Sequence, residues 1–201
     1  MPESTMPLDS GAEVALRVAE TEAMRLAANH VGTEHVLLGV VSDVDGIAAR
    51  VLHEFGIDLE RIRTAIQVMA SGRPVGGGWR GSRIVPGGEA SPAESSTPAA
   101  ADTPAWSPRA NKAIALAQDE ARRIEHSTLG TGHLLLGLIR EGDNMATGIL
   151  ASYGVQRRVT ADASAVPPPA AEWGAESRRL SADYLGAIHD RVLAVLSESS
   201  S

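Results

Sequence analysis

The decapeptide VGTEHVLLGV at residues 31–40 returns 98 positions later as LGTGHLLLGL at residues 129–138. The similarity extends well beyond this phrase. When residues 9–58 are aligned without gaps to residues 107–156, sixteen of the fifty positions are identical, and many others exchange one apolar residue for another. A match of this length at one fixed offset indicates an internal duplication, so two related halves are predicted.

Each copy has the pattern of short helices. In the first copy, small apolar residues from Ala12 to Ala27 recur at the three- and four-residue spacing of one helical face. Thr33 is predicted to cap the N-terminus of the next helix, and Asp45 that of the helix after it, because their side chains accept the free N–H groups of a first turn. Gly56 stands where a glycine commonly ends a helix.

The chain divides into two repeats, a linker and a C-terminal segment. We predict repeat 1 at residues 9–71 and repeat 2 at 107–163, separated by a flexible linker at 72–106 that is rich in Gly, Pro, Ser and Ala. The fourth helix of repeat 2 is weakly encoded and runs into three prolines. The segment 173–198 carries an apolar stripe at helical spacing, which predicts either a helix packed on the repeats or one that docks on a partner.

Composition limits the classes of function. Hydrophobic residues make up 43% of the chain and aromatic residues only 3%, which favours closely packed helices rich in Ala and Leu. The net charge of −7 argues against nucleic-acid binding, which needs a basic face. No apolar run approaches the ~20 residues of a membrane span. The N-terminus lacks the pattern of a secretion signal, so a cytoplasmic location and no membrane partner are expected.

No catalytic, metal or cofactor site is predicted. The chain has no cysteine and no HExxH motif, and no serine, histidine and aspartate stand in a recognisable catalytic order. Its only lysine, Lys112, is followed by alanine, so a phosphate-binding GxxxxGK[ST] loop is absent. His35 and His133 stand at equivalent positions in equivalent helices, which predicts packing and hydrogen bonding. A protein without enzymatic activity is therefore expected.

The duplicated phrase resembles the Clp amino-terminal domain, the double repeat at the front of ClpA- and ClpC-type unfoldases. The resemblance covers 9–71 and 107–156 and rests on GTEHVLLGV, DGIAARVLHEFGI, SPRANKAIALAQDEARRI and GTGHLLLGLIREGDN. It implies an all-α, pseudo-twofold fold of duplicated four-helix repeats, about eight helices, to which 173–198 adds a C-terminal helix. Because the phosphate-binding loop of an ATPase module is missing, we expect a free-standing domain of this type.

The resemblance also implies ligand-binding residues. ClpC-type domains bind adaptors and tagged substrates, including proteins phosphorylated on arginine; a GTEH glutamate binds the guanidinium, and a threonine opening the repeat's first helix holds the phosphate. Aligned by repeat, Asp9 replaces the threonine that accompanies Glu34, and Gly132 replaces the glutamate that accompanies Ser107. Each repeat is thus expected to have lost half of its pocket and to bind phosphoarginine weakly or not at all, with Gly132→Glu and Asp9→Thr as repairs. The candidate ligand-binding residues are Asp9, Thr33, Glu34, Ser107, Thr131 and Gly132.

The loss of the second glutamate is interpreted as a relaxed or redirected recognition, or as a neutral change at an exposed helix start. The favoured function is a protein- or peptide-binding module that serves Clp protease components as an accessory or adaptor. One alternative is a decoy: actinobacterial relatives are targets of cyclic-peptide antibiotics, and Trp106 and Lys112 form the candidate face, although Asn111 replaces a family lysine there. Another alternative is a regulator that acts through its C-terminal helix.

Overall fold

The computed structural model describes residues 6–70, 104–142, 144–161 and 173–198. Within these ranges the chain is almost entirely helical, which confirms the predicted all-α fold. None of the described helices combines the length and apolar character needed to cross a membrane. The elements are α1 (Ser10–Arg25), β1 (His30–Val31), α2 (Thr33–Ser42), α3 (Ile47–Glu54), α4 (Leu59–Ala70), β2 (Ala105–Trp106), α5 (Pro108–Arg123), α6 (Thr131–Glu141), α7 (Met145–Ala161) and α8 (Trp173–Glu198).

The predicted linker, 72–106, lies outside the described residues except for its last three. Of these, Ala105 and Trp106 form β2 and pair in parallel with β1 of repeat 1. The chain is therefore attached to the first repeat before the second repeat begins its own first helix.

The first two helices of each repeat approach each other closely because their contact faces are made of Ala and Gly. α1 packs on α2, and α5 packs on α6. Gly39 of α2 lies against the backbone of Ala15, and Gly137 of α6 lies against the backbone of Ala113, so that an added Cβ on either glycine would overlap a carbonyl oxygen. The alanine face predicted for α1 is buried, as Ala12, Ala15, Ala19 and Ala23 are at most 1% exposed.

The starts of α2 and α6 differ from the predicted caps. Gly32 and Gly130 are the N-caps, in extended backbone conformations, and Thr33 is the first residue of α2 instead of its cap. A ring nitrogen closes the turn in each repeat: Nδ1 of His35 accepts the N–H of Gly32, and Nδ1 of His133 accepts the N–H of Gly130, both at 2.9 Å. The hydrogen-bonding role predicted for the two histidines is confirmed.

The start of α3 also differs from its prediction, whereas the end agrees. Gly46, and not Asp45, is the N-cap of α3. Gly56 follows the last turn of α3 with a φ of 73°, a left-handed conformation that glycine adopts without strain. In repeat 2 the equivalent Gly154 does not end a helix, because α7 continues through it to Ala161.

The helix α8 takes the place that a fourth helix of repeat 2 would occupy. In repeat 1, α4 packs on α2 and on α7 of the other repeat; correspondingly, α8 packs on α6 and on α3. Its residues Ile188, Val192 and Leu196 are buried in the common core. The C-terminal half of the apolar stripe on α8 is thus buried within the chain, as the packed-helix interpretation expects. The described residues hold eight helices in all, including this C-terminal one.

Candidate functional site

The two repeats contact each other crosswise at the starts of their helices. Val31 of repeat 1 pairs with Trp106, and the N–H of Ser107 donates to the carbonyl of Val31 at 3.0 Å. The same contact occurs on the other side of the pseudo-twofold axis, where Leu8 bridges Leu129 and the N–H of Asp9 donates to the carbonyl of Leu129 at 3.0 Å. Each repeat's first helix therefore begins beside the second helix of the other repeat.

This crossing corrects the pairing expected from the repeat alignment. Ser107 lies at the start of α2, which carries Glu34, and Asp9 lies at the start of α6, which carries Gly132. The retained hydroxyl and the retained glutamate thus share one site, and both replacements fall in the other. We call these the Glu34–Ser107 site and the Asp9–Gly132 site. Asp9→Thr is consequently not a repair beside Glu34, because Asp9 is not there.

The Glu34–Ser107 site combines a sheltered carboxylate with two helix N-termini. The Glu34 side chain is 16% exposed and folds back over Gly32, where any Cβ would overlap its carboxylate. Ser107 caps α5, its Oγ accepting the N–H of Ala110 at 3.1 Å. Thr33 lies buried in the first turn of α2.

The Glu34 charge is not neutralised by its histidine neighbour. Burial lowers the pKa of His35, and the Glu34 carboxylate only partly opposes this effect. The Nδ1 of His35 also accepts the N–H of Gly32, so this nitrogen carries no proton. The 3.5 Å approach of Glu34 Oε1 to Nδ1 is accordingly not an ion pair, and His35 is not the cationic partner of this carboxylate.

The candidate cyclic-peptide residues lie at and near the start of α5, close to Ser107 in the sequence. Trp106 directly precedes Ser107 and is half-buried, with its indole N–H donating to Glu20 of α1 at 3.1 Å. Lys112 stands in the second turn of α5, and its ammonium group lies 3.4 Å from the buried carboxylate of Glu141. The two residues are thus held by separate acidic partners.

The Asp9–Gly132 site also has a carboxylate over its N-cap glycine, but it comes from the other repeat. Asp9 caps α1, with Oδ1 accepting the N–H of Ala12 at 2.7 Å. Its Oδ2 lies over Gly130, 2.5 Å from where a Cβ would stand, as the Glu34 carboxylate lies over Gly32. The Asp9 carboxylate therefore lies over the N-cap glycine, in the place that the carboxylate of a glutamate at position 132 would take.

Gly132 is buried and not at an exposed helix start, in contrast to one interpretation of the sequence. A Cβ at Gly132 would lie 3.0 Å from Cγ2 of Ile47 and 3.3 Å from Cδ2 of Leu196. The end of α8 thus covers the place from which a glutamate side chain would leave the helix. Thr131 beside it is likewise buried.

An open groove of about 700 Å³ adjoins this site. We call it the acidic groove; its polar lining includes Asp9, Asp43, Asp45, Thr131 and His133. Burial, followed by repulsion from His126, lowers the pKa of His133 to about 4, so its ring is neutral at pH 7. Nδ1 accepts the Gly130 N–H, which places the ring proton on Nε2, and this buried nitrogen has no hydrogen-bond partner among the described residues.

The sequence interpretation missed Asp43 and Asp45 as groove residues, although the alignment contained a signal for Asp43. Asp43 aligns with Glu141, and Val14 aligns with Lys112, the residue that pairs with Glu141. The sequence thus shows a lysine in one repeat and a valine at the same position of the other. That this lysine is the charge partner of Glu141 is shown only by the structure.

Comparisons with known proteins agree with this architecture. The family model described as the Clp repeat (R) N-terminal domain matches residues 8–87 and 105–164. The negative regulator of genetic competence ClpC/MecB of Bacillus subtilis (strain 168) is 38% identical over 144 residues, which cover 72% of this chain and 15% of that protein. The chaperone protein ClpB of Oceanobacillus iheyensis is 37% identical over 144 residues, with the same two coverages, 72% and 15%.

A solved structure shows the same fold. The N-terminal domain of the chaperone ClpD from Arabidopsis thaliana matches with a TM-score of 0.53 and 16% identity, over 98% of this chain and 99% of that one. The two bacterial relatives are much longer, and this chain spans about 15% of their length. With both repeats matched by the family model, the chain belongs to the Clp repeat (R) N-terminal domain family.

Proposed function

We propose that this chain is a non-enzymatic protein- or peptide-binding module that serves Clp-type proteolysis as an accessory or adaptor and takes its ligand at the Glu34–Ser107 site. One observation supports the proposal: the N–H of Ser107 donates to the carbonyl of Val31, two residues before the helix that carries Glu34. The sequence alignment had divided Ser107 and Glu34 between separate pockets. The relatives' names, the negative regulator of genetic competence ClpC/MecB and the chaperone protein ClpB, support the Clp context.

The chemistry of this site suits a ligand with a cationic and an anionic part, such as phosphoarginine. The Glu34 carboxylate complements a guanidinium group, and the N-termini of α2 and α5 favour an anion. Arg109 lies in the first turn of α5, two residues after Ser107, and adds positive charge at this helix start. We therefore expect one phosphoarginine site per chain, rather than two weakened ones.

Calorimetric titration of free phosphoarginine into the chain tests this expectation. We expect a stoichiometry of one, and a ten- to hundredfold weaker affinity for Glu34→Gln, because a charge-assisted hydrogen bond is worth about 1.5–3 kcal/mol. Ser107→Asp copies the residue of the other site; it keeps the helix cap but repels phosphate, so it should abolish binding. Glu60→Gln is the matched control, since the Glu60 side chain is 81% exposed on α4.

Three results would contradict the proposal: no binding by the wild type, a stoichiometry of two, or equal losses for Glu34→Gln and Glu60→Gln. A second titration with a Clp unfoldase tests the accessory role. If a cyclic peptide bound tightly while neither phosphoarginine nor the unfoldase did, the decoy function would be favoured, with Trp106 as the first residue to change.

A further inference from the structure

The acidic groove differs in charge from its pseudo-symmetric counterpart. In the other half, the carboxylate of Glu141 receives the Lys112 ammonium at 3.4 Å and the side-chain amide of Asn144 at 2.9 Å. The aligned carboxylate in the groove is that of Asp43. The residues aligned with its two donors are Val14 and Gly46, neither of which has a polar side chain.

The Asp43 carboxylate nevertheless lies in a space that its neighbours leave open for it. Its Oδ2 lies 2.7 Å from where a Cβ on Gly11 would stand, and equally close to one on Gly46, so the absence of both side chains makes room for it. Asp9 and Asp45 line the same groove, and none of the described lining residues is a lysine or an arginine. Three carboxylates therefore surround an open volume without an internal cation.

Helix N-termini do not reverse the sign of this charge. α1, α3 and α6 all begin at the groove, and each helix start contributes about half a positive charge. Together they offset about one and a half of the three carboxylates. No three His, Cys, Asp or Glu side chains of the described ranges are grouped closely enough to hold a metal ion, which favours an organic cation over a metal.

An independent observation indicates a ligand here. The His133 side chain lines the groove, is 2% exposed, and has an Nε2 without a hydrogen-bond partner among the described residues. A buried donor without a partner destabilises the protein, and a ligand acceptor removes that cost. A peptide carbonyl is such an acceptor.

We propose that the acidic groove binds an unmodified cationic side chain, lysine or arginine, of a bound peptide, with its cation at the Asp43 carboxylate and a backbone carbonyl at His133. The cation would stand where the Lys112 ammonium stands in the other half of the molecule. This inference rests on the proposed function only in that the chain binds peptides. The Glu34–Ser107 site would then bind phosphorylated arginine and the acidic groove the unmodified side chain, because the carboxylates of the groove repel phosphate.

The test uses three blocked tripeptides and NMR spectroscopy of the full chain. The probes are Ac-Ala-Lys-Ala-NH2, Ac-Ala-Arg-Ala-NH2 and the neutral analogue Ac-Ala-citrulline-Ala-NH2. We expect the two cationic peptides to shift the resonances of Gly46 and Thr131. The citrulline peptide should bind at least tenfold more weakly, because it keeps the shape of arginine and lacks its charge.

Two variants locate the binding. Val14→Lys installs the internal cation of the other half and should abolish binding; Val14 is 44% exposed, so the change is compatible with folding. Asp43→Asn removes the carboxylate and should weaken binding ten- to hundredfold. Met24→Lys is the matched control: it adds the same charge on α1 at a residue that is 52% exposed, about 15 Å along the helix from Val14.

Equal binding of the citrulline and arginine peptides would overturn the proposal, as would undiminished binding by Val14→Lys. The outcome is separable from that of the proposed function. Phosphoarginine titrates the Glu34–Ser107 site and the cationic tripeptides titrate the groove, so either ligand can fail while the other binds. If Val14→Lys failed to fold by circular dichroism, Asp43→Asn would decide the question alone.

Discussion

Replacing Gly137 by alanine tests the close helix contact on which the fold depends. An added Cβ would overlap the carbonyl oxygen of Ala113 and lie 2.8 Å from the Cβ of Ala117. The overlapped atom belongs to the backbone of α5, so no side-chain rotation relieves it, and α5 and α6 must separate. Overpacking of this kind costs about 1–3 kcal/mol, or more.

The same substitution also stabilises the helix itself, which reduces the net loss of stability. Alanine stabilises a helix interior by about 0.5–1 kcal/mol relative to glycine. Because the clash involves a carbonyl, we take the upper end of the overpacking cost and expect a net loss of about 2 kcal/mol. For a chain of this size such a loss lowers the midpoint of thermal unfolding by about 4–8 °C.

Urea denaturation followed by circular dichroism measures this loss, with two companion variants. Gly39→Ala is the pseudo-symmetric change against Ala15 and should cost a similar amount. Gly186→Ala is the matched control, since Gly186 lies in α8 with no atom within 4 Å of an added Cβ, so alanine should stabilise the chain. A Gly137→Ala protein as stable as the wild type would refute the close approach of α5 and α6.

Three further predictions concern stability and the second site. The pKa of His133 is lowered to about 4 in the folded chain, below its unfolded value of about 6.5, so its neutral form contributes stability above pH 6.5. Up to about 3 kcal/mol of this stability is lost as the pH falls from 6.5 to 4. His133→Gln keeps the helix cap without a titrating ring, so its urea midpoint should fall less over that pH range. Gly132→Glu should destabilise the chain by about 1–3 kcal/mol and restore no phosphoarginine site, because its side chain meets Ile47 and Leu196; urea denaturation and calorimetry measure both effects. Ile188→Ala should cost about 2–4 kcal/mol in urea denaturation, since α8 is part of the core.

The helices were predictable because their signals are local. The alanine spacing of α1 and the glycine after α3 each act within one or two turns, where sequence rules apply directly. The predicted N-cap positions of α2 and α3 were each wrong by one residue. At α2, glycine allows the Glu34 carboxylate to fold back over the cap position, a contact that residue preferences alone do not encode.

The pairing of site residues was not predictable from the alignment of the repeats. Alignment identifies Asp9 as the equivalent of Ser107 and Glu34 as that of Gly132, but equivalence does not state which residues are adjacent. Adjacency follows from the bridges of Val31 with Trp106 and of Leu8 with Leu129, which join residues 75 or more positions apart. Such long-range contacts leave no periodic trace in the sequence.

The crosswise contact has a consequence for how a duplicated chain diversifies. Two identical, unlinked copies of one repeat, related by a true twofold axis, would carry two identical sites, and any substitution would alter both at once. Once the copies are fused, a substitution in either repeat affects only the site to which it contributes, so the sites can separate in specificity. Asp9 and Gly132 lie in different repeats but meet in a single site, so substitutions at these two positions alter that site and leave its twin unchanged.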